Sequence, residues 1–300
     1  MIGEPSFSIV VPTYNREEKL APCLKSLAHL RYPRHSFEVI VVNDGGAAPD
    51  TMAGSLGRDL DVKLIHQTHA GSAAARNTGA ARARGQFLAF TDDDCVPDPN
   101  WLTALARRFS ATPDHLIGGR TLNALPHNLF STASQLLATY LYSYYNADPA
   151  NARFFTSNNM ALSADRFRRI GGFDATYTRT AAEDRDLCDR WRYHGYQMTY
   201  APEAVVCHAH DLTFRTFWRQ HFNYGRGAHQ FHQARSLRDQ KPIKLEPPSF
   251  YTNMLRYAFV HPESHRPVLL AALLLLSQAA NAAGFFCEKL NRPRYQHGET

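Results

Sequence analysis

Three consecutive aspartates are the residues best suited to chemistry in this sequence. Asp92, Asp93 and Asp94 follow the apolar run QFLAF at 86–90, which predicts a β-strand. Because side chains alternate along a strand, we expect Asp92 and Asp94 to point to the same side. Carboxylate oxygens at the mouth of an α/β sheet suit Mg²⁺ or Mn²⁺ bound together with substrate phosphates. As an alternative, the aspartates cap the helix that PDPNWL begins, which accounts for one of them and not for three.

Two further charged residues follow predicted strands or begin predicted helices. Asp44 comes after the run FEVIVV at 37–42, where a carboxylate can accept hydrogen bonds from a ribose or a base edge. The same Asn-Asp-Gly-Gly sequence also suits any tight turn between a strand and a helix. Arg76 lies one turn into a helix predicted for 72–83, whose N-terminus favours an anion. A guanidinium there can bind a diphosphate, and the alternative is a solvated surface arginine.

A second acidic group opens the helix predicted for AAEDRDLCDRW. Glu183 and Asp184 are the candidates for a general base, and we expect the helix N-terminus to lower their proton affinity. The remaining acidic residues of this helix are interpreted as a solvated face with local ion pairs. His208 and His210, at the end of the last predicted strand, are candidates for a metal ligand or a phosphate contact, although incidental histidines are expected among the 15 in the chain.

These candidates need a sheet that brings strand ends together. Short apolar runs alternate with helical patterns in the first hundred residues, at 7–11, 37–42, 62–66 and 86–90. This order predicts a parallel sheet with helices on both faces, and such sheets bind ligands at the carboxyl ends of their strands. The polar sequences PTYNR, NDGG and TDDD fall at those ends. The glycine spacing of a P-loop or a Rossmann dinucleotide site is missing.

The later part of the chain is less regular. We expect a helix over Leu129 to Tyr145, a strand in FFTSNNMALS, a last strand in TYAPEAVVCHAH and a long basic and aromatic helix at 213–235. A proline-rich linker, KPIKLEPPSF, and an uncharged run at 267–287 follow.

The composition is that of a globular protein of the reducing cytosol. The chain has 300 residues, of which 44% are hydrophobic and 20% charged, which excludes a disordered or fibrous chain. Its five cysteines include no CxxC pair, which argues against a disulfide scaffold. The N-terminal sequence has neither a basic segment nor a long apolar run, so we expect no signal peptide.

The net charge of +6 is confined to the last third of the chain. Residues 1–205 hold 21 basic and 21 acidic residues, whereas residues 206–300 hold 12 and 6. Because this excess adjoins the apolar run 267–287, it favours an anionic membrane surface over a nucleic acid as partner. The run is long enough to cross a bilayer, but Ser277, Gln278 and Asn281 on one side suit a helix that lies in the interface or docks on protein. We therefore expect a cytoplasmic protein, peripheral or C-terminally anchored at the inner face of the cell membrane, with a buried helix as the alternative.

The motifs together resemble one family. VVPTYNR, FEVIVVNDGG, GSAAARNTGAARARGQFLAFTDDDCVPDPNWL, NNMALSADRFRRIGGFD and AAEDRDLCDRW follow the order found in inverting family 2 glycosyltransferases, across residues 6–230. The resemblance implies an α/β GT-A fold, with a Rossmann-like, mostly parallel central sheet flanked by helices and a C-terminal helical extension. It implies a catalytic domain at 1–235, with a nucleotide-sugar half at 1–115 and an acceptor half at 116–235, before an extension at 236–300.

The resemblance also implies roles for individual residues. The nucleotide-sugar contacts it implies are Pro12, Thr13, Tyr14, Asp44, Arg76, Asp92 and Asp93. Asp94 would be the metal ligand of the DxD element, with Asp92 on the ribose side and within reach of the ion, and His208 is a further candidate ligand. Glu183 and Asp184 match the family's acidic pair, with Asp184 as the expected general base. The implied cofactor is a divalent cation, Mg²⁺ or Mn²⁺.

The expected reaction is transfer of one sugar from a UDP-, GDP- or dTDP-sugar to a hydroxyl acceptor, which is a glycan, a lipid-linked acceptor or another hydroxyl. Processive members carry Gln-x-x-Arg-Trp, whereas this chain has Gln220-His221-Phe222-Asn223-Tyr224, so we expect single transfers. A sugar nucleotidyltransferase is one alternative, but PTYNREEKL lacks the glycine-rich, lysine-containing loop expected of that class. The other alternative is a module that binds nucleotide sugars or glycans without catalysis. Such a module would not need the acidic residues.

Overall fold

The computed structural model describes residues 5–46, 60–177, 181–240, 246–262 and 265–291. The chain divides into two compact units, residues 1–211 and residues 212–300. The domain boundary expected at 235 falls inside a helix that begins at Phe214 and ends at Asp239.

The first unit is built on one sheet of eight described strands. These are β1 (Phe7–Thr13), β2 (Phe37–Asn43), β3 (Val62–His66), β4 (Phe87–Phe90), β5 (Cys95–Pro97), β6 (Leu116–Asn123), β7 (Met160–Ser163) and β8 (Met198–His208). Their order is β3-β2-β1-β4-β7-β6-β8-β5. The first four are parallel, β7 is antiparallel to β4 and β6, β8 is parallel to β6, and β5 is antiparallel to β8. The predicted α/β fold with a mostly parallel central sheet is confirmed.

Helices cover both faces of this sheet. They are α1 (Glu17–Ala28), α2 (Ser72–Ala81), α3 (Trp101–Ala111), α4 (Leu129–Tyr145), α5 (Ala164–Arg169) and α6 (Glu183–Tyr193). Side chains alternate along β1, so Ile9 packs in one core cluster with Leu24 of α1 and Trp101 of α3, and Val10 packs in the other with Trp191 of α6. Apolar faces on both sides explain why the first strands read as continuous hydrophobic runs.

The parallel strands end at one edge of the sheet. Thr13 at the end of β1 pairs with Asn43 at the end of β2, and β4 lies on the other side of β1. The residues that follow, including Asp44 and Asp92, are therefore brought to the same edge, as the sequence predicts.

The predicted strand FFTSNNMALS is shorter than expected. Only Met160–Ser163 is a strand, and Ser157–Asn159 form a short 3₁₀ turn. In this turn the fully buried Asn159 directs its side chain inward. Its Oδ1 accepts a hydrogen bond from Trp101 Nε1 at 2.9 Å, and its Nδ2 donates to the carbonyl oxygens of Arg120 and Ala204, both at 3.0 Å. One side chain thus joins α3, β6 and β8.

Replacing Asn159 by alanine is expected to lower the free energy of unfolding by about 3 kcal/mol, because a buried N–H and two carbonyl groups lose a partner. Urea denaturation measures the change. The matched control is Asn100→Ala, since Asn100 is exposed and its side chain makes no capping bond to α3. A loss for Asn159→Ala no larger than the loss for Asn100→Ala would show that the amide is not an anchor.

The second unit contains three described helices, α7 (Phe214–Asp239), α8 (Pro248–Val260) and α9 (Pro267–Asn291). Thr213 and Thr216 form a reciprocal capping box at the start of α7. The sequence predicts that this helix ends at 235, four residues before its observed end at Asp239. The helix α8 begins inside the predicted linker 241–250, of which residues 241–245 lie outside the described part.

The helices α7 and α9 run antiparallel and in close contact. A Cβ added at Gly225 would overlap the carbonyl oxygen of Asn281, and one added at Gly284 would overlap that of Phe222. Only glycine permits backbones to approach in this way. Among the described helices, α9 is long and apolar enough to cross a membrane by length and composition alone, and most of it is not buried within the chain.

Candidate active site

The acidic turn 91–94 is not a continuation of β4, which ends at Phe90. Strand alternation therefore does not apply, and Asp92 and Asp94 have different partners rather than the shared side expected from the sequence. Asp93 and Asp94 share Arg16, whose Nη1 lies 3.3 Å from an oxygen of each. The capping alternative is wrong, because the cap position of α3 is Asn100 and not one of the three aspartates.

Arg76 links two acidic residues from distant parts of the chain. Its Nη2 lies 2.6 Å from Asp92 Oδ1, and its Nη1 lies 3.1 Å from Glu183 Oε1. The guanidinium is buried and lies 5.6 Å from the centroid of the Phe173 ring. The arginine is therefore not the solvated surface residue of the alternative reading. It places the strand-end aspartate and the start of α6 within one ion-paired network.

The position of α2 relative to α6 is fixed by hydrogen bonds from a side chain of each helix to the backbone of the turn 170–173. Asn77 donates from Nδ2 to the carbonyl oxygen of Phe173 at 2.7 Å, and Asn77 Oδ1 accepts from the N–H of Phe173 at 2.9 Å. Arg190 of α6 donates to the carbonyl oxygens of Ile170 and Gly172 at 2.8 and 2.7 Å, and to Asp186 Oδ2 at 2.6 Å. The turn 170–173 is thus held from both helices, which fixes Arg76 against Glu183.

Asp184 has the properties of a base that titrates near neutrality. Burial and the neighbouring charge of Glu183 raise the pKa of Asp184 to about 7. The expectation of a lowered proton affinity is therefore wrong. A hydrogen bond from the N–H of Arg185 at 2.7 Å favours the charged form, as expected at a helix N-terminus, but loss of water outweighs it.

The buried Asp94 and the partly exposed His208 form a close pair. Their Oδ1 and Nε2 atoms are 3.2 Å apart. Burial acts to raise the pKa of Asp94, but the hydrogen bond and charge of His208 lower it to about 2. Burial acts in the opposite direction on His208, and Asp94 raises the pKa of that imidazole. His210 stacks on His208 at 5.0 Å between centroids, and burial and the charge of His208 lower its pKa to about 4.

The donor atoms near Asp94 fit a divalent transition metal. One ligand atom each from Asp94, Cys95 and His208 lie within 4.8 Å of one another. A carboxylate with an imidazole suits Mn²⁺ better than Mg²⁺, which prefers oxygen ligands alone. Burial and the nearby carboxylates raise the pKa of the Cys95 thiol, which disfavours it as a ligand. Asp92, the second expected ligand, is paired with Arg76.

Asp93 is held by Thr13 of β1 and by Arg16, which directly precedes α1. Thr13 donates from Oγ1 to Asp93 Oδ2 at 2.8 Å. Burial raises the pKa of Asp93 to about 6, against the opposing charge of Arg16. Thr13 and Asp93 are therefore brought together, whereas Pro12 is a buried residue of β1 that pairs with Val42 of β2.

Asp44 is buried and surrounded by donors from the loop that precedes α2. Its Oδ1 accepts from Gln67 Nε2 at 2.7 Å and from the N–H of Ala70 at 2.9 Å. Its Oδ2 accepts from the N–H of Gly71 at 2.8 Å and lies 2.9 Å from His69 Nδ1. The carboxylate thus organises the loop 67–71. The His69 ring stacks on exposed Tyr14 with centroids 4.4 Å apart, so two aromatic side chains cover this end of the site.

Three of these residues were not predicted from the sequence to belong to the site. Arg16 directly follows PTYN at the end of β1, and a parallel sheet with β4 next to β1 would have placed it beside the aspartates. Asn77 adjoins Arg76 in ARNTG, but the sequence does not indicate its partner, the backbone of Phe173. Nothing in the sequence pairs His69 with Tyr14, because their contact depends on the geometry of two loops.

Comparison with known proteins identifies the family and the fold of the chain. The sequence profile of glycosyl transferase family 2 matches residues 8–171, and a profile described as the N-terminal domain of galactosyltransferase matches residues 141–211. A glycosyltransferase of Haloferax volcanii, AglE, is 27% identical over 234 residues, which cover 74% of this chain and 73% of that protein.

A pre-mycofactocin glycosyltransferase of Mycobacterium tuberculosis is 30% identical over 226 residues, which cover 74% of this chain but 46% of that longer protein. Among solved structures, a mannosyltransferase of Pyrobaculum calidifontis in complex with GDP-Man and Mn²⁺ superposes with a TM-score of 0.62 at 20% identity, covering 96% of this chain and 80% of that one. The predicted GT-A fold is thereby confirmed. Because the family profile covers more than half of the chain, the chain belongs to glycosyl transferase family 2 and is a glycosyltransferase.

Proposed function

We propose that the enzyme transfers one sugar from a UDP-, GDP- or dTDP-sugar to a hydroxyl acceptor, with inversion at the anomeric carbon and with the help of a divalent cation. The observation that carries this proposal is the network Asp92–Arg76–Glu183, which joins the strand-end aspartate to the residue that directly precedes the candidate base Asp184. We expect a donor bound at the strand ends to place its anomeric carbon near Asp184.

The proposed base accounts for inversion. Asp184 accepts the proton of the acceptor hydroxyl, and the deprotonated oxygen attacks the anomeric carbon from the face opposite the leaving diphosphate. One displacement inverts the configuration. Retention by double displacement needs a carboxylate nucleophile as well, and Glu183, which directly precedes Asp184 in the chain, is paired with Arg76.

Charge on the leaving diphosphate needs neutralisation. Asp94 and His208 would hold the ion, and Mn²⁺ fits their donors. A bound divalent cation supplies Lewis-acid stabilisation of the leaving group. The Pyrobaculum mannosyltransferase, which contains Mn²⁺ and GDP-Man, supports both the cation and the nucleotide-sugar class. Arg76 and the N-terminus of α2 would add positive charge on the diphosphate side.

A donor panel tests this function. We expect nucleotide release from one or a few of the UDP-, GDP- and dTDP-sugars when an alcohol acceptor is present, with a rate that Mn²⁺ raises and EDTA abolishes. Proton NMR of the product should show the opposite anomeric configuration to the donor. A product with retained configuration would refute inversion, and full activity in EDTA would refute the cation.

We further propose that the enzyme works at the cytoplasmic face of the membrane. The support is the excess of Lys and Arg in residues 206–300 and the apolar helix α9. Lipid-linked and other membrane-bound hydroxyl acceptors would then be concentrated near the active site.

A further inference from the structure

The helix α9 is apolar on both of its sides, unlike an ordinary surface helix. The side turned inward includes Leu270, Leu274, Ser277, Ala280 and Gly284, all buried. The exposed side, here called the outer face of α9, consists of Val268, Leu269, Ala272, Leu275, Ala279, Ala282, Ala283 and Phe286. Val268 is 69% exposed, Leu275 55% and Phe286 58%. Surface helices of globular proteins turn the apolar side inward. The outer face of α9 is therefore unexplained by packing.

The inward side of α9 is fixed to α7. The contacts of Gly225 with Asn281 and of Gly284 with Phe222 place the two backbones together in antiparallel order. Arg226 Nε donates to Glu288 Oε2 at 2.7 Å, and the rings of His229 and Phe285 lie 5.0 Å apart. The two helices therefore share their position relative to any surface that α9 contacts.

This pairing argues against a membrane-spanning α9. With α7 antiparallel, Arg226 and Arg235 lie at the level of the apolar part of α9, so both would enter the hydrocarbon if α9 crossed the bilayer. Arginine is costly at that depth. A helix that lies in the interface keeps α7 on the aqueous side and meets no such cost.

The charges around the outer face favour anionic lipid. Arg266 precedes the outer face and Lys289 follows it, and both are exposed. Arg256 of α8 is exposed as well. Juxtaposed apolar and cationic surfaces are typical of proteins that bind the headgroup region of acidic membranes.

We propose that the outer face of α9 lies in the plane of an anionic bilayer, with α7 above it and without crossing. This inference rests on the proposed membrane location and specifies how the chain is held there. It fixes the enzyme at one leaflet, so the acceptor it serves must present its hydroxyl on that side.

Depth measurement tests the orientation on the full chain. Nitroxide labels are placed at Val268→Cys, Leu275→Cys and Phe286→Cys, one at a time, with Cys207→Ser and Cys287→Ser in each. The chain is then bound to vesicles of phosphatidylcholine with phosphatidylglycerol. Equal shallow depths for the three labels, about 5–10 Å below the headgroups, are expected. A central label much deeper than the two end labels would show that α9 crosses and would overturn the proposal.

Affinity measurement tests the face itself. The double variant Leu275→Gln with Phe286→Gln should lower affinity for the same vesicles roughly tenfold or more, because two large apolar side chains are lost. The control is Leu237→Gln, which changes an 83% exposed leucine of α7 and should leave affinity unchanged. Vesicles of phosphatidylcholine alone should bind more weakly.

Other occupants give different results. One possible result is that the chain does not bind vesicles, forms a dimer, and becomes monomeric in the double variant. A second copy then covers the outer face of α9 and the proposal is wrong. The proposal is also wrong if the chain is a monomer that does not bind vesicles. Sugar transfer to a water-soluble acceptor is measured in parallel, so that failure of membrane binding is distinguished from failure of the enzymatic function.

Discussion

Replacing Asp184 by asparagine is expected to lower the turnover number for sugar transfer by roughly 10²- to 10⁴-fold, because an amide of the same shape cannot take the acceptor proton. Affinity for the nucleotide sugar should stay within a few-fold of the parent, since the proposed donor contacts lie at the strand ends. Single-turnover rates and calorimetric titration of the nucleotide sugar measure the two quantities separately.

The matched control is Asp189→Asn, the same change on the same helix at a residue outside the proposed mechanism. It should leave turnover unchanged. Turnover of Asp184→Asn within a few-fold of the parent would exclude Asp184 as the base and make Glu183 the next candidate.

The pH profile gives a second readout of the same assignment. Asp184 must be deprotonated to accept a proton, and burial with the charge of Glu183 raises its pKa to about 7. The transfer rate should therefore fall as the pH decreases through about 7 and reach a plateau above it. The residual activity of Asp184→Asn should lack this step.

Replacing Asp94 by alanine is expected to weaken binding of the nucleoside diphosphate in the presence of Mn²⁺ by roughly 100-fold. Loss of a residue that only hydrogen-bonds to a metal ligand already lowers metal affinity by up to about 100-fold. Binding by the variant should also become insensitive to EDTA. Without the cation, the remaining carboxylates of the acidic turn repel the diphosphate. Calorimetry with and without EDTA measures both effects.

Asp165→Ala is the control, because Asp165 is 71% exposed and pairs with Arg168 of the same helix. It should bind like the parent. His208→Ala should resemble Asp94→Ala if the two residues hold one ion. Parent affinity that EDTA does not change would instead make the acidic turn a structural feature.

The position of the candidate site was predictable because it follows from strand order. Alternating apolar runs and helices define a parallel sheet, and the carboxyl ends of its strands then place Asp44 and Asp92 at one edge. The helix that carries Asp184 was likewise readable from its acidic start and apolar spacing.

The partners within the site were not predictable, because they depend on where the chain turns. Alternation would have paired Asp92 with Asp94, but β4 ends at Phe90 and the turn separates them. The pKa of Asp184 depends on burial by distant residues, which a helix N-terminus alone does not reveal. The strand predicted for 154–163 was too long. Asn159 lies outside the strand, and its side chain forms hydrogen bonds to Trp101 and to two carbonyl groups.

The glycine contact between α7 and α9 can form only late in the synthesis of the protein. Ribosomes deliver residues 1–211 first and α7 before α9, so the first unit can fold during translation while α7 waits for its partner. Until Asn281 and Gly284 emerge, the surface of α7 around Gly225 is open to chaperones and to aggregation. A nascent chain stalled between these helices would present that surface for as long as the stall lasts.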